Sequence, residues 1–397
     1  MKKDDLLPKV TIGMVGHIDH GKTTLLQKLT GKWADTHSEE MKRGITIKLG
    51  YASCTIYKCP KCKDFSAYSI SKKCMTHSSD NEVLRTISFV DAPGHEALMA
   101  TMLSGASMIH GAILVIAANE PCPQQQTKDH LNALEITGIK KIIIVQNKAD
   151  LVNDAELEKN YEQIKAFIKG TVAENAPIIP LSGQSGANVD ALLMAIEEFI
   201  PSPKINKTDA PIMLVARSFD INKPGKEISE LNGTIIGGSL KQGVLKKNDE
   251  IIILPGFKEK NEWIPINARV ESINYSNSIV DEVFPGGSFG ISTSIDPYFG
   301  KNDKLSGSVA CLKKKPLNVF FSLEFNYSMS DESDLKLNEL LLLNIWAAKT
   351  TGIIKSVKKG VASVDLSLPV ACMKNERIAI SRKAGNRWKL AGWGEII

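Results

Sequence analysis

Hydrophobic positions in the first half of the chain gather into short, nearly uninterrupted runs: Val10–Val15, Thr86–Val90, Ala112–Ala117, Ile142–Gln146 and Ile178–Leu181. Runs of that length without polar alternation predict strands covered on both faces. Longer mixed stretches lie between them, at Lys22–Leu29, His95–Ser104, Gln124–Thr137, Asp154–Lys169 and Val189–Phe199, and these read as helices. Strands alternating with helices predict a mostly parallel sheet with helices on both sides, so the first domain is expected to be α/β. A polar stretch with three prolines, from Pro201 to Pro211, then breaks the pattern and predicts a linker. Beyond it the runs are short and β-like, separated by turn residues such as Gly237 with Gly238, Pro285 to Gly287, and Asp296 with Pro297. Punctuation every ~8–12 residues predicts sandwiches or barrels. A second seam is expected near Lys313–Pro316.

Length sharpens this division. At ~150 residues per domain, 397 residues predict two or three domains, and the seams favour three: 1–205, 206–315 and 316–397. An apolar fraction of 43% and a charged fraction of 23% exclude a disordered chain, a collagen or a disulfide scaffold. Runs such as Gly111–Ala118 fall far short of the ~18 residues that cross a bilayer, and no apolar segment follows the charged start. A cytoplasmic protein without membrane partners is therefore expected. The net charge of +5 is mild, but it is an average. Between Lys355 and Lys389 nine basic residues face only Asp365 and Glu376, with Trp388 among them, a pattern that suits either a solvated face or contact with an RNA backbone.

Candidate chemistry begins with Gly16, Gly21, Lys22 and Thr23, which fit G-x-x-x-x-G-K-[ST] between a predicted strand and a predicted helix. In that context the loop from Asp19 and His20 to Thr24 is a phosphate cradle of inward-turned backbone N–H groups at a helix start. Lys22 would reach the β- and γ-phosphates, and the Thr23 hydroxyl would ligate Mg²⁺. Asp91 and Gly94 form D-x-x-G at a strand end, where the carboxylate can orient magnesium and the glycine N–H can meet the γ-phosphate. Asn147, Lys148 and Asp150 follow another strand, and the Asp150 carboxylate can accept from both the N1–H and the N2 amino group of guanine. Adenine lacks that donor pair and would leave buried acceptors unpaired, at ~1–3 kcal/mol each. The expected nucleotide is GTP or GDP. Thr46, after Arg43 and Gly44, could add its hydroxyl to magnesium only while a γ-phosphate is present.

Taken together, Gly16–Thr24, Thr36–Thr46, Asp91–Met99, Ala117–Pro123, Thr171–Pro180 and the Ser381–Trp388 region resemble the translational GTPases. The closer resemblance is to the γ subunit of archaeal and eukaryotic translation initiation factor 2, and it spans nearly the whole chain. It implies an α/β P-loop GTPase domain followed by two all-β barrel domains. It also implies that His95 positions the attacking water, that Ser182, Gly183 and Gln184 contact the base, and that Asp19 with the Gly44 backbone holds a second magnesium. Ser182 with Gly183 stands where the family has Ser-Ala, a change that keeps the backbone N–H. No arginine finger is evident, so slow intrinsic hydrolysis of ~10⁻⁴ s⁻¹ is expected, accelerated by a partner. The implied partners are initiator methionyl-tRNA, the α and β subunits and the small ribosomal subunit. An elongator or selenocysteyl-tRNA carrier, and a scaffold that binds GTP without hydrolysing it, are the competing readings.

Seven cysteines are an odd count for an unsecreted chain, and metal is the first reading. Cys59, Cys62, Cys74 and His77 form C-x₂-C and C-x₂-H pairs able to converge on a tetrahedral, structural Zn²⁺. Similar γ subunits often carry four cysteines there, so His77 is a departure that still supplies a ligand. Cys54, Cys122, Cys311 and Cys372 read as ordinary core or surface residues.

Overall fold

In the computed structural model the described residues are 7–31, 50–91, 103, 105, 107–223, 225, 227, 230–275, 278–330, 334–385 and 387–397. They divide into two compact units, 1–203 and 204–397.

The first unit is built on a seven-stranded sheet. Its strands are β1 (Pro8–Gly16), β2 (Gly50–Lys58), β3 (Tyr68–Ser69), β4 (Glu82–Asp91), β5 (Gly111–Ala117), β6 (Ile142–Asn147) and β7 (Ile178–Pro180), in the order β3-β2-β4-β1-β5-β6-β7. From β4 to β7 every pairing is parallel, whereas β2 and β3 join antiparallel at one edge. The sequence expectation of a mostly parallel sheet thus holds except at that edge, which carries the cysteine-rich insert. β5 and β6 are buried at every position, the burial expected for central strands covered on both faces.

Among the described residues, four helices accompany the sheet: α1 (Lys22–Thr30), α2 (Gln125–Ile136), α3 (Asp154–Ile168) and α4 (Val189–Phe199). α1 buries Leu25, Leu26 and Leu29, and α4 buries Leu192, Leu193 and Ile196, all in one cluster with Ile12, Phe89 and Val145. Each such side chain contributes about 1.5–3 kcal/mol of transfer free energy. α1 stops at Gly31, whose φ of 68° is the left-handed cap that glycine adopts cheaply. α3 starts from a reciprocal box: the Asn153 side chain accepts from the Glu156 N–H, and the Glu156 side chain accepts from the Asn153 N–H.

The second unit holds two β structures. In the first, β8 (Ile212–Phe219), β9 (Ile235–Gln242), β10 (Glu250–Glu259), β11 (Glu262–Tyr275), β12 (Ser288–Thr293) and β13 (Val309–Leu312) run β10-β13-β8-β9-β12-β11, and β11 pairs back onto β10. In the second, β14 (Asn318–Met329), β15 (Leu340–Ile345), β16 (Ala348–Lys358), β17 (Val361–Cys372), β18 (Arg377–Ala384) and β19 (Arg387–Ile396) close in the order β14-β17-β16-β15-β18-β19. Closure removes the edges that short antiparallel strands would otherwise expose. The two barrels are clasped by Glu376, whose carboxylate accepts from the Trp346 indole at 2.8 Å and pairs with Lys241 at 3.1 Å.

Candidate nucleotide site and metal cluster

Parallel strands bring their carboxyl ends to one edge, and loops there can converge on a ligand at the point where strand order reverses. Here β1 lies between β4 and β5, so Gly16, Asp91, Ala117, Asn147 and the segment after Pro180 share that edge. The loop after β1 turns sharply. Gly16 has φ 139° and a Cβ there would lie 2.3 Å from the Val115 carbonyl oxygen, so no other residue fits without backbone movement. Asp19, at φ 61°, and Gly21, at φ 86°, continue the left-handed turn into α1.

Lys22 is buried, and its ammonium donates to the His17 carbonyl at 2.6 Å. The Thr23 hydroxyl donates to Asp91 Oδ2 at 2.9 Å, joining the start of α1 to the end of β4. Asp91 is fully buried. A hydroxyl and a carboxylate side by side are the hard oxygen donors that Mg²⁺ takes, so these residues fit the ion. Asp19 is exposed. Gly44, Thr46, Gly94 and His95 lie outside the described residues, as does most of the expected helix His95–Ser104.

Asn147 is buried and ties two loops together. Its Nδ2 donates to the His20 carbonyl at 2.8 Å, and its Oδ1 accepts from the Gly183 N–H at 2.9 Å. Gly21 must be glycine for the same reason: a Cβ would sit 2.3 Å from Asn147 Nδ2. Lys148 follows at φ 61°, leaving Asp150 exposed at the start of a 3-10 turn. Ser182 is buried with its hydroxyl accepting from the Ser185 N–H, and Gln184 is exposed. A Cβ at Gly183 would meet Asn147 Oδ1 at 3.3 Å and Leu25 at 3.4 Å, so alanine would fit only by a shift of a few tenths of an ångström. Thr24 is partly exposed on the first turn of α1.

The structure adds contacts behind the loop that the motif does not specify. The His20 ring is buried, with Nδ1 3.2 Å from the Val115 carbonyl and Nε2 3.4 Å from Glu120. Desolvation holds His20 down at about 4, with the Val115 carbonyl and Glu120 pulling the other way. From α2, Gln126 Oε1 accepts from the Ile18 N–H at 3.1 Å and His130 Nδ1 accepts from the Gly16 N–H at 2.7 Å. Their partners lie more than a hundred residues back in the chain, so no local pattern marks them.

Comparison with known proteins follows the same division of the chain. Residues 8–202 match the Elongation factor Tu GTP binding domain, 233–309 match Elongation factor Tu domain 2, and 321–396 match the family described as Initiation factor eIF2 gamma, C terminal. Translation initiation factor 2 subunit gamma of Methanocaldococcus jannaschii is 51% identical across 100% of this chain and 99% of its own length. The chain belongs to that family. The Archaeoglobus fulgidus member is 50% identical over 98% of this chain and 95% of its own length. With its GTP-binding domain the chain is a translational GTPase, and the elongator reading falls behind the initiation-factor one. Solved structures agree in fold: translation elongation factor SelB from Methanococcus maripaludis, in complex with a GTP analogue, has a TM-score of 0.74 at 24% identity over 99% of this chain and 79% of its own. A bacterial selenocysteine-specific elongation factor gives 0.76 at 24% identity, and this chain spans 58% of its length.

The insert between β2 and β4 gathers Cys59, Cys62, Cys74 and His77, whose donor atoms all lie within 4.8 Å of one another. Cys62 Sγ is 3.6 Å from Cys74 Sγ and 3.4 Å from His77 Nδ1, which lies 3.5 Å from Cys74 and 3.6 Å from Cys59. Ligands about 2.1–2.3 Å from a tetrahedral centre are separated by about 3.4–3.8 Å along its edges, so the cluster has the size of a zinc cage. The thiols are free, and a sulfur separation of 3.6 Å is far from the ~2.05 Å of a disulfide. Desolvation and the neighbouring Cys74 and Cys59 push the Cys62 thiol up to about 12, a crowding of would-be thiolates that a divalent cation relieves.

The basic C-terminal segment is partly paired with the barrel's own residues. Arg382 pairs with Glu339 at 2.8 Å, Lys355 with Asp365 at 3.4 Å, and Arg377 stacks 4.2 Å from the Trp393 ring centre. No helix among the described residues is long and apolar enough to cross a membrane.

Proposed function

We propose that this chain is the GTP-binding subunit of a heterotrimeric initiation factor. In its GTP form it would carry initiator methionyl-tRNA to the small ribosomal subunit and release it after hydrolysis, working in the cytoplasm with α and β partners. The observation that supports this best is the convergence of the phosphate loop, Asp91, Asn147 with Asp150 and Ser182–Gly183 on one sheet edge, in a chain about half identical to initiation factor gamma subunits along its whole length. Domains at 1–205, 206–315 and 316–397 belong to the same reading.

In this reading Asp150 selects guanine by accepting from N1–H and the N2 amino group, while the Gly183 N–H region closes the base pocket. Lys22 leaves the His17 carbonyl for the β- and γ-phosphate oxygens, and the Asp19–Thr24 backbone receives the remaining charge. Thr23 and Asp91, with Thr46 when GTP is bound, would hold Mg²⁺, which neutralises charge on the transferred group. His95 would orient a water whose oxygen attacks the γ-phosphorus. The bond to the bridging oxygen breaks, GDP leaves, and the water's protons end on inorganic phosphate and solvent. Without an arginine finger this turns over at ~10⁻⁴ s⁻¹ until a partner supplies the missing charge. Cys59, Cys62, Cys74 and His77 would hold a structural Zn²⁺, and Asp19 with Gly44 a second magnesium.

The test is protection of aminoacylated tRNA from deacylation with GTP and with GDP. Initiator methionyl-tRNA should be protected only with GTP. Equal protection of elongator tRNA would overturn the initiator reading, and protection independent of the nucleotide would favour a GTP-stabilised scaffold.

A further inference from the structure

The phosphate loop is held from behind by α2. Gln126 and His130 are one helical turn apart and so lie on one face of that helix. Gln126 Oε1 accepts from the Ile18 N–H and His130 Nδ1 from the Gly16 N–H, two alternate amides of the loop. Because Nδ1 accepts, the single proton of the neutral ring sits on Nε2, and the ring is fully buried. The His17 carbonyl, in the same peptide unit as the Ile18 N–H, receives the Lys22 ammonium at 2.6 Å. A chain of contacts therefore runs from α2 through the peptides of Gly16 and Ile18 to the perch of Lys22.

We infer that Gln126 and His130 are positioning residues for phosphate binding: they fix the first peptides of the loop so that Lys22 and the later amides converge on the nucleotide. They need not touch the ligand. Without its acceptor, the Gly16 N–H would be a buried orphan, and its peptide would rotate to find a partner. Freeing the Ile18 N–H releases the peptide that carries the His17 carbonyl, and freeing the Gly16 N–H shifts the backbone leading into it, so either loss re-aims the loop. Preorganisation of this kind is felt as affinity, since the loop no longer has to be ordered when phosphate arrives. The inference rests on the reading of this site as a GTP-binding one, and wild-type affinity for GDP tests that reading separately.

The experiment measures affinities of the full chain for GDP and for guanosine, which shares the base contacts and lacks phosphate. His130→Leu removes the acceptor, whereas His130→Asn, though smaller, restores an oxygen where Nδ1 sits. Gln126→Met removes the second acceptor. His130→Leu and Gln126→Met should each weaken GDP by about tenfold, one hydrogen bond's worth, and leave guanosine unchanged. His130→Asn should stay within about threefold of wild type. Unchanged GDP affinity in both acceptor-free variants would overturn the inference. So would a parallel loss for GDP and guanosine, which reports a general structural role, or equal losses in His130→Leu and His130→Asn, which report ring volume.

Discussion

Acidification should unfasten the first unit through His130, and the size of the effect follows from its burial. The ring is fully buried, and its pKa is pushed down to about 3, first by desolvation and then by the charges of Lys22, His17 and His20. In the unfolded chain the same group titrates near its ordinary 6.5. Below that value the unfolded chain binds a proton that the folded one refuses, so stability present above pH 6.5 is lost as pH falls toward 3. Each pH unit in that window costs about 1.4 kcal/mol, which amounts to about 2 kcal/mol at pH 5 relative to pH 7.5. Many carboxylates and the other histidines also titrate, and a difference between two proteins removes them. The unfolding free energy of the first unit, followed by pulse proteolysis in urea, should fall by about 2 kcal/mol more in wild type than in His130→Leu between those pH values. Identical pH dependence in the two proteins would refute the reasoning, because it would mean that His130 takes up its proton in the folded state.

Three other consequences are open to direct measurement. Purified protein should hold one zinc per chain by metal analysis, and changing Cys59 and Cys62 to serine should remove it and open the insert to proteolysis, with GDP affinity retained. Metal-free wild-type protein with an intact, protease-resistant insert would retire the cage. Asp150→Asn should weaken GDP by about a hundredfold and favour xanthosine diphosphate, since the amide presents a donor toward the position where xanthine carries a carbonyl. Competition binding checks this. Asn147→Ala orphans the His20 carbonyl and the Gly183 N–H at once, so it should destabilise the first unit by about 2–4 kcal/mol in denaturant titration, more than twice the effect of an exposed substitution such as Gln184→Ala.

What could be read from sequence and what could not divide along a physical line. Gly16, Gly21, Lys22, Thr23, Asp91, Asn147 and Asp150 were legible because each is dictated by local geometry: a turn that tolerates no Cβ, a strand end, a helix start. Cys59 to His77 was legible because close pairs of ligands have few other uses, although only the fold shows that their atoms approach to tetrahedral spacing. Its motif points Asn147 to the nucleotide, whereas in the structure both ends of its amide serve protein groups 127 and 36 residues away. Gln126 and His130 were invisible for the same reason: their partners lie 108 and 114 residues back, and nothing in the local pattern distinguishes an inward histidine from a core filler. The antiparallel edge of the sheet escapes the pattern too, because Gly50–Lys58 alternates buried and half-buried positions instead of forming a continuous apolar run. A phosphate site therefore has two layers with different legibility. The inner layer must present backbone to the ligand, which forces glycine and leaves a motif. The outer layer only has to offer an acceptor at the right place, a demand that many residue types on many helices can meet. Substitutions in the outer layer should accordingly change nucleotide affinity by about tenfold steps while leaving guanine selectivity, which Asp150 alone would set, untouched.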